Sequence, residues 1–108
     1  MANKKAPRPL QQLYAITAPN GLVNIGSAYT ASRAFHTLQN GSPERLELSA
    51  KMSAPPELKS ALHAALVQSH SHSEWFHPTD PVLRVVELIG SHDTVALLEY
   101  LEQFVEES

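Results

Sequence analysis

Apolar and polar residues follow a β-type pattern in three parts of the chain, which predicts three strands. The first two, residues 13–17 and 22–26, flank a turn segment that contains Asn20-Gly21, a strong short-range signal for a β-hairpin. The third covers residues 45–52, where strict alternation predicts a strand buried on one face only. We therefore expect a hairpin and one further half-buried strand.

Apolar residues recur every three or four positions in four other segments, which predicts four helices. Thr30 is suited to cap the first helix, over residues 31–38, and Asp80 is suited to cap the third, which runs to Ile89. The second helix opens at Pro55-Pro56, and the last begins near Asp93. The side chains expected to face the core are Ala31, Ala34, Phe35 and Leu38, then Leu58, Leu62, Ala65 and Leu66, then Val82, Val85, Val86 and Ile89, and finally Val95, Leu98, Leu101 and Val105.

The segment between the second and third helices, residues 69–79, is rich in serine and histidine and is expected to form a loop. The 108 residues suffice for one core. We therefore expect a flexible basic arm over residues 1–10 and a single domain over 11–108, with helices over about 80–106.

The charge distribution separates this arm from the rest of the chain. The formal net charge is −3, but Lys4, Lys5 and Arg8 lie in the first nine residues, where there is no acidic residue. The rest of the chain is therefore more acidic than the total suggests. Tight binding of duplex nucleic acid relies on lysine and arginine neutralising phosphates, so a protein partner or weakly held nucleic acid is the more reasonable expectation.

The composition excludes several classes of protein. There is no cysteine, which removes disulfides, thiolate nucleophiles and cysteine-based zinc sites. No apolar stretch approaches the roughly 20 residues that span a bilayer. A soluble, cytoplasmic protein with no membrane partner is the expectation.

Five short strings resemble the compact, phage-associated branch of the GIY-YIG nuclease superfamily over about residues 12–78. They are LYAI at 13–16, VNIGSA at 23–28, RAFHTLQNGSP at 33–43, ALH at 61–63 and EWF at 74–76. The resemblance implies an α/β (α+β) fold in which helices flank a three-stranded antiparallel sheet; the two C-terminal helices would extend this fold as a helical hairpin. It also implies cleavage of DNA phosphodiesters that depends on Mg²⁺ or Mn²⁺, as in mobile-element nucleases.

The same resemblance shows where the expected chemistry has been replaced. The place of the second family tyrosine is taken by Asn24, that of the helix arginine by Ala34, and that of the metal-binding glutamate by Lys59. A lysine ammonium has no lone pair and repels a cation, so it cannot ligate a metal ion. No cofactor is therefore expected, unless cleavage survives and requires Mg²⁺ or Mn²⁺.

Four residues remain candidates for a site, each with a structural alternative. Tyr14 matches the first family tyrosine and could pass a proton, or it could simply pack on the sheet. Arg33 neighbours the lost arginine position but points about 100° away from it around the helix, as a solvated surface residue would. His63 matches a site histidine or stabilises the domain edge, and Glu74 is either a metal ligand or a structural hydrogen-bond acceptor.

Two further patterns have both a plain and a functional interpretation. Zinc could be bound by His70, His72 and His77 together with Glu74, although serine-histidine alternation is also typical of a polar loop. The last helix carries an acidic stripe of Glu99, Glu102 and Glu106, which is either a solvated face or a docking surface for a basic partner.

Three hypotheses about function follow. The first is a catalytically impaired GIY-YIG-like domain that binds a protein or nucleic acid. The second is an active divergent endonuclease in which Arg33, His63 and Glu74 supply the missing groups. The third is a homodimeric module built on the C-terminal helices, which light scattering with and without residues 91–108 would test.

Overall fold

The computed structural model describes residues 10–107 and the side chains of residues 10–103. Within them lie five strands, β1 (Gln11–Thr17), β2 (Val23–Ala28), β3 (Glu47–Ala54), β4 (His70–His72) and β5 (Trp75–Phe76), and four α-helices, α1 (Ala31–Asn40), α2 (Glu57–Ala65), α3 (Asp80–Gly90) and α4 (Thr94–Glu107). The expected α+β class is confirmed. The arm expected over residues 1–10 lies, apart from Leu10, outside the described residues. None of the helices in the described part of the chain has the length and apolar character that a bilayer crossing requires.

The strands form one antiparallel sheet in the order β3-β1-β2-β5-β4. Its centre is the expected hairpin, in which β1 and β2 pair from Thr17 opposite Val23 to Gln12 opposite Ala28. The turn between them uses its sequence as expected, because Gly21 adopts a positive φ of 93° and the Asn20 side chain accepts a hydrogen bond from the Leu22 amide (3.0 Å).

The expectation of three strands was wrong, because residues 70–76 form a second hairpin in place of the expected loop. Its strand β5 pairs with β2, placing Val23 opposite Phe76 and Asn24 opposite Trp75. The turn between β4 and β5 contains Ser73, which has a φ of 53°. That left-handed conformation is usually supplied by glycine or asparagine, so the sequence carried no turn signal here.

The two faces of the sheet support two separate clusters of buried side chains. The larger cluster packs against α2, α3 and α4, and its largest fully buried members are Phe76, Leu13, Ile25, Leu62, Leu66, Ile89 and Leu97. The smaller cluster lies under α1 and consists of Tyr14, Ile16, Ala18, Ala31 and Leu46, with Ala34, Phe35, Leu38, Leu48 and Trp75 packed around it. We call the side of the sheet that carries this smaller cluster the Tyr14 face.

Strand β3 contains a β-bulge, and its side chains pack into different clusters before and after the bulge. Ala15 pairs with Ala50 and the next residue, Ile16, pairs with Leu48, so Ser49 is the extra residue on β3. As a result Leu48 packs on the Tyr14 face, whereas Ala50 belongs to the larger core. The expectation of a single buried face along this strand was therefore wrong.

Two of the expected helix details also need correction. In α4 the expected core residues Val95 and Leu98 are 65% and 45% exposed, while Leu97 and Leu101 are buried. Asp80 does not cap α3, because the capping position is Thr79, whose hydroxyl shares a hydrogen bond with that of Ser69 (2.6 Å). Truncation at residue 91 would thus remove core side chains as well as the outer face of α4.

The start of α1 is held by the sheet and not by its own capping residue. Thr30 occupies the capping position but makes no side-chain hydrogen bond there. Instead, the side-chain oxygen of Gln12 on β1 accepts a hydrogen bond from the Ala31 amide (2.7 Å). This contact fixes the helix end above the Tyr14 face.

Candidate functional site

Tyr14 lies at the centre of the sheet, where its neighbours on either side are Lys51 on β3 and Gly26 on β2. Its ring leans across Gly26, since a Cβ atom placed on that glycine would lie 2.5 Å from Cζ and 2.9 Å from Cε1 of the tyrosine. Glycine is therefore required here by the close approach of a side chain. The phenol is directed toward β2 and the strands beyond it.

Burial raises the pKa of the Tyr14 phenol above its ordinary value, and the nearby Glu74 carboxylate raises it further. Both effects disfavour the phenolate, because they penalise a negative charge at the hydroxyl. At neutral pH Tyr14 is therefore an uncharged hydrogen-bonding group. It can donate a proton, but it is not set up to take one from water.

The raised pKa of Tyr14 predicts a loss of stability in alkaline solution. Below the ordinary tyrosine value of about 10 the phenol is protonated in both states, so it adds no pH dependence there. As the pH rises above that value the unfolded state ionises first, and the free energy of unfolding falls until the folded pKa is reached.

Absorbance titration of the phenolates should therefore show one tyrosine that ionises later than the others in the native protein. Tyr14→Phe should remove that late component and the corresponding part of the alkaline stability loss, while Tyr29→Phe, at a site that is 69% exposed, should leave both in place. Equal titration of all three tyrosines would contradict the assignment.

Glu74 is close to Tyr14 but is already engaged by Lys59. The lysine Nζ lies 2.8 Å from a carboxylate oxygen of Glu74, and the two side chains are 32% and 35% exposed. The carbonyl oxygen of Glu74 also accepts a hydrogen bond from the Ile25 amide (3.0 Å), which ties the β4–β5 turn to β2. A partly exposed pair of this kind stabilises the fold by about 0.2–1 kcal/mol.

The surroundings of Glu74 do not fit a divalent cation. Its carboxylate is neutralised by an ammonium group, which has three donors and no lone pair to offer a metal ion. Hard cations require several oxygen ligands, and no three His, Cys, Asp or Glu residues within residues 10–103 are placed to hold a metal ion. We therefore derive no step of chemistry through a metal at this site.

His63 faces the other core. Its Nε2 donates a hydrogen bond to the carbonyl oxygen of Ile25 (2.8 Å), which fixes the ring nitrogen that carries the proton. Its ring is in T-shaped contact with that of Phe76, with ring centres 4.9 Å apart. Both contacts belong to the larger cluster, whereas Tyr14 belongs to the smaller one.

Arg33 is exposed, and its guanidinium group makes no hydrogen bond or ion pair with the described part of the chain. The next residue, Ala34, is the one that packs against the cluster around Tyr14. Of the four predicted site residues, the structure thus brings Tyr14 and Glu74 together and leaves Arg33 and His63 apart from them.

Asn24 and Lys59 had no role in the site expected from the sequence. Asn24 is only 5% exposed, and it lies between Ile16 on β1 and Trp75 on β5. Lys59 stands where the resemblance expects a metal-binding glutamate. This change from a negative to a positive charge was the sequence signal for the ion pair that Lys59 makes with Glu74.

The histidines of residues 70–77 do not gather into a ligand set. His70 donates a hydrogen bond from Nε2 to the carbonyl oxygen of Ser73 (2.7 Å), and His72 bonds through Nδ1 to the hydroxyl of Ser71 (2.9 Å). The expected fourth ligand, Glu74, is held by Lys59. The zinc hypothesis therefore has no ligand cluster among the described residues.

The acidic stripe of α4 is exposed at Glu99 and Glu102, whereas the side chain of Glu106 lies outside the described residues. Next to it, Asp80, Leu83, Arg84, Val86, Glu87 and Tyr100 line an open groove between α3 and α4. Arg84 and Glu87 form an ion pair on the rim of that groove (2.6 Å).

Comparisons of the chain with protein-family models, with curated proteins and with solved structures gave no match.

Proposed function

We propose that this chain is a catalytically impaired domain of the GIY-YIG type, which acts by binding a protein or nucleic-acid partner. The observation that carries the proposal is the Lys59–Glu74 ion pair (2.8 Å) beside Tyr14. A nuclease of this type needs a free carboxylate for a metal ion, and the carboxylate here is bound to a resident ammonium group.

The state of the other site residues supports the same proposal. Tyr14 is uncharged at neutral pH because its pKa is raised, so it is a poor base for activating water. Ala34 packs where the resemblance expects an arginine, and Arg33 is exposed beside it. One electrostatic group that stabilises a transition state is worth about 2.7–4 kcal/mol, so the loss of a metal ligand and an arginine together lowers the rate by several orders of magnitude.

A plasmid-nicking assay with Mg²⁺ or Mn²⁺ tests the proposal. The natural chain should not nick, whereas Ala34→Arg combined with Lys59→Glu should restore measurable nicking that Tyr14→Phe abolishes. The matched control is Ala64→Arg with Arg45→Glu, which makes the same charge changes at exposed positions and should stay inactive. The proposal would be wrong if the natural chain nicks plasmid and Tyr14→Phe abolishes this nicking. That result would favour the divergent endonuclease.

The double variant also allows a test that does not depend on catalysis. Lys59→Glu places a second carboxylate beside Glu74, and two carboxylates attract a hard cation. Mn²⁺ should therefore raise the unfolding temperature of the double variant but not that of the natural chain. Equal stabilisation of both proteins by Mn²⁺ would show that the ion pair does not exclude the metal.

A further inference from the structure

The charges beside the Tyr14 face are almost balanced near Gly26. Lys59 and Glu74 cancel one another at 2.8 Å, and Asn24 has no charge. Lys51 is on the same face, but it flanks Tyr14 on the side opposite to Gly26. This surface therefore favours neither a free cation nor a phosphate, and a neutral ligand suits it better.

Two polar groups on this face have buried bodies and accessible tips. Tyr14 and Asn24 are 8% and 5% exposed, and neither the phenol hydroxyl nor the amide has a hydrogen-bond partner among the described residues. Since no fully enclosed side-chain nitrogen or oxygen in that part of the chain lacks a partner, both groups must reach the surface. Both tips are therefore open to a hydrogen bond from a ligand as they are to one from water.

The spacing of these groups suits a small planar molecule. The phenol lies over Gly26, and Asn24 is two residues along the same strand, which corresponds to roughly 7 Å. Trp75 is directly opposite Asn24 on the neighbouring strand and adds an aromatic surface beside the amide. An asparagine amide offers a donor and an acceptor side by side, which pair with a complementary edge of the same kind.

We propose that the Tyr14 face, through Asn24, Tyr14 and Trp75, binds a small neutral planar molecule with adjacent donor and acceptor groups, such as a nucleobase or a carboxamide. Asn24 pairs with the donor–acceptor edge, the Tyr14 hydroxyl bonds a second polar atom, and the indole contacts the ring. The proposal goes beyond the function proposed above and does not depend on the nuclease resemblance.

The single tryptophan of the chain, Trp75, provides the readout. The indole N–H signal in NMR spectra of the full chain should shift saturably on titration with adenosine or uridine if the ligand is a nucleobase, or with nicotinamide if it is a carboxamide. Asn24→Leu, which keeps the side-chain size, should weaken binding at least tenfold, and Tyr14→Phe should weaken it several-fold. The matched control is Asn40→Leu, at an exposed position on α1, which should bind as the natural chain does.

Thermal unfolding of each variant separates lost binding from lost folding, and Tyr14→Phe, which removes one oxygen atom, keeps the test informative if Asn24→Leu unfolds. The proposal is overturned if none of the three probes shifts the indole signal saturably, or if folded Asn24→Leu and Tyr14→Phe bind as tightly as the natural chain. Saturable binding of inorganic phosphate or Mg²⁺ alone at this face would also overturn it. Each of these results leaves the nicking assay unaffected, so the two proposals can fail separately.

Discussion

Replacing Phe76 with alanine is expected to lower the free energy of unfolding by about 3–5 kcal/mol, the range found when a buried phenylalanine is truncated. The side chain is fully buried in the larger core, and the rings of His63 and His70 lie in T-shaped contact with it, with ring centres 4.9 Å and 5.3 Å away. Because Phe76 belongs to β5, its removal also weakens the attachment of the second hairpin to β2. Urea unfolding followed by circular dichroism would measure the change.

The comparison variant is Val67→Ala, just before the same hairpin, where the side chain is 63% exposed. Its effect should stay within about 0.5 kcal/mol, as for most surface substitutions. A loss below about 1 kcal/mol for Phe76→Ala would mean that residues 70–76 behave as the loop that the sequence suggested, and that β5 is not part of the stable sheet.

Adding one methyl group at Gly26 is expected to cost about 1–3 kcal/mol, the usual penalty for overfilling a packed site. The new Cβ atom would lie within 3 Å of Cζ and Cε1 of Tyr14. The ring cannot move freely, because Tyr14 is buried against Ile16 and its other neighbours under α1. The alanine variant should therefore also expose the tyrosine, and so lower the pKa of its phenol toward the ordinary value.

A double-mutant cycle with Tyr14→Leu isolates this contact, since the penalty of Gly26→Ala should shrink when the ring is absent. Gly90→Ala is the matched control, because its Cβ atom would meet only the side chain of Ala50 at an ordinary 3.7 Å. That helix position should tolerate alanine or gain up to about 1 kcal/mol. Equal costs for Gly26→Ala with and without the tyrosine ring would rule out the contact as the cause.

The elements with strong local signals could be predicted from the sequence. The β1–β2 hairpin has Asn20-Gly21 at its turn, and Gly21 adopts the positive φ that this residue pair favours. Helix α1 follows the spacing of its apolar residues and ends at Asn40, two residues beyond the expected range of 31–38. In these places local preference and tertiary packing agree.

The features that the sequence did not reveal depend on contacts between distant residues. The β4–β5 hairpin has Ser73 at a left-handed position, so only its pairing with β2 identifies it. In α4 the apolar residues are so closely spaced that the sequence is compatible with two different buried stripes. Packing against α2 and α3 buries the one that contains Leu97 and Leu101.

The candidate site was predictable in part for the same reason. Tyr14 and Glu74 were named as candidates, and the pairing of β2 with β5 brings them close together. His63 was expected beside them, but a helix can pack on either face of a sheet and α2 packs on the other one. The role proposed for Asn24 rests on its burial and on its lack of a hydrogen-bond partner among the described residues, and the sequence shows neither.

The extra residue at Ser49 sets a rule for how this chain can change. Before the bulge, every second side chain of β3 points into one core; after it, the same alternation points into the other. The alternation of side chains between the two faces thus changes its phase at a single position, Ser49. Deleting Ser49 would make Leu48 and Ala50 neighbours on an unbulged strand, so their side chains would keep their opposite sides of the sheet. Deleting Lys51 would instead make Ala50 and Met52 neighbours, and one of these two residues of the larger core would turn to the wrong side.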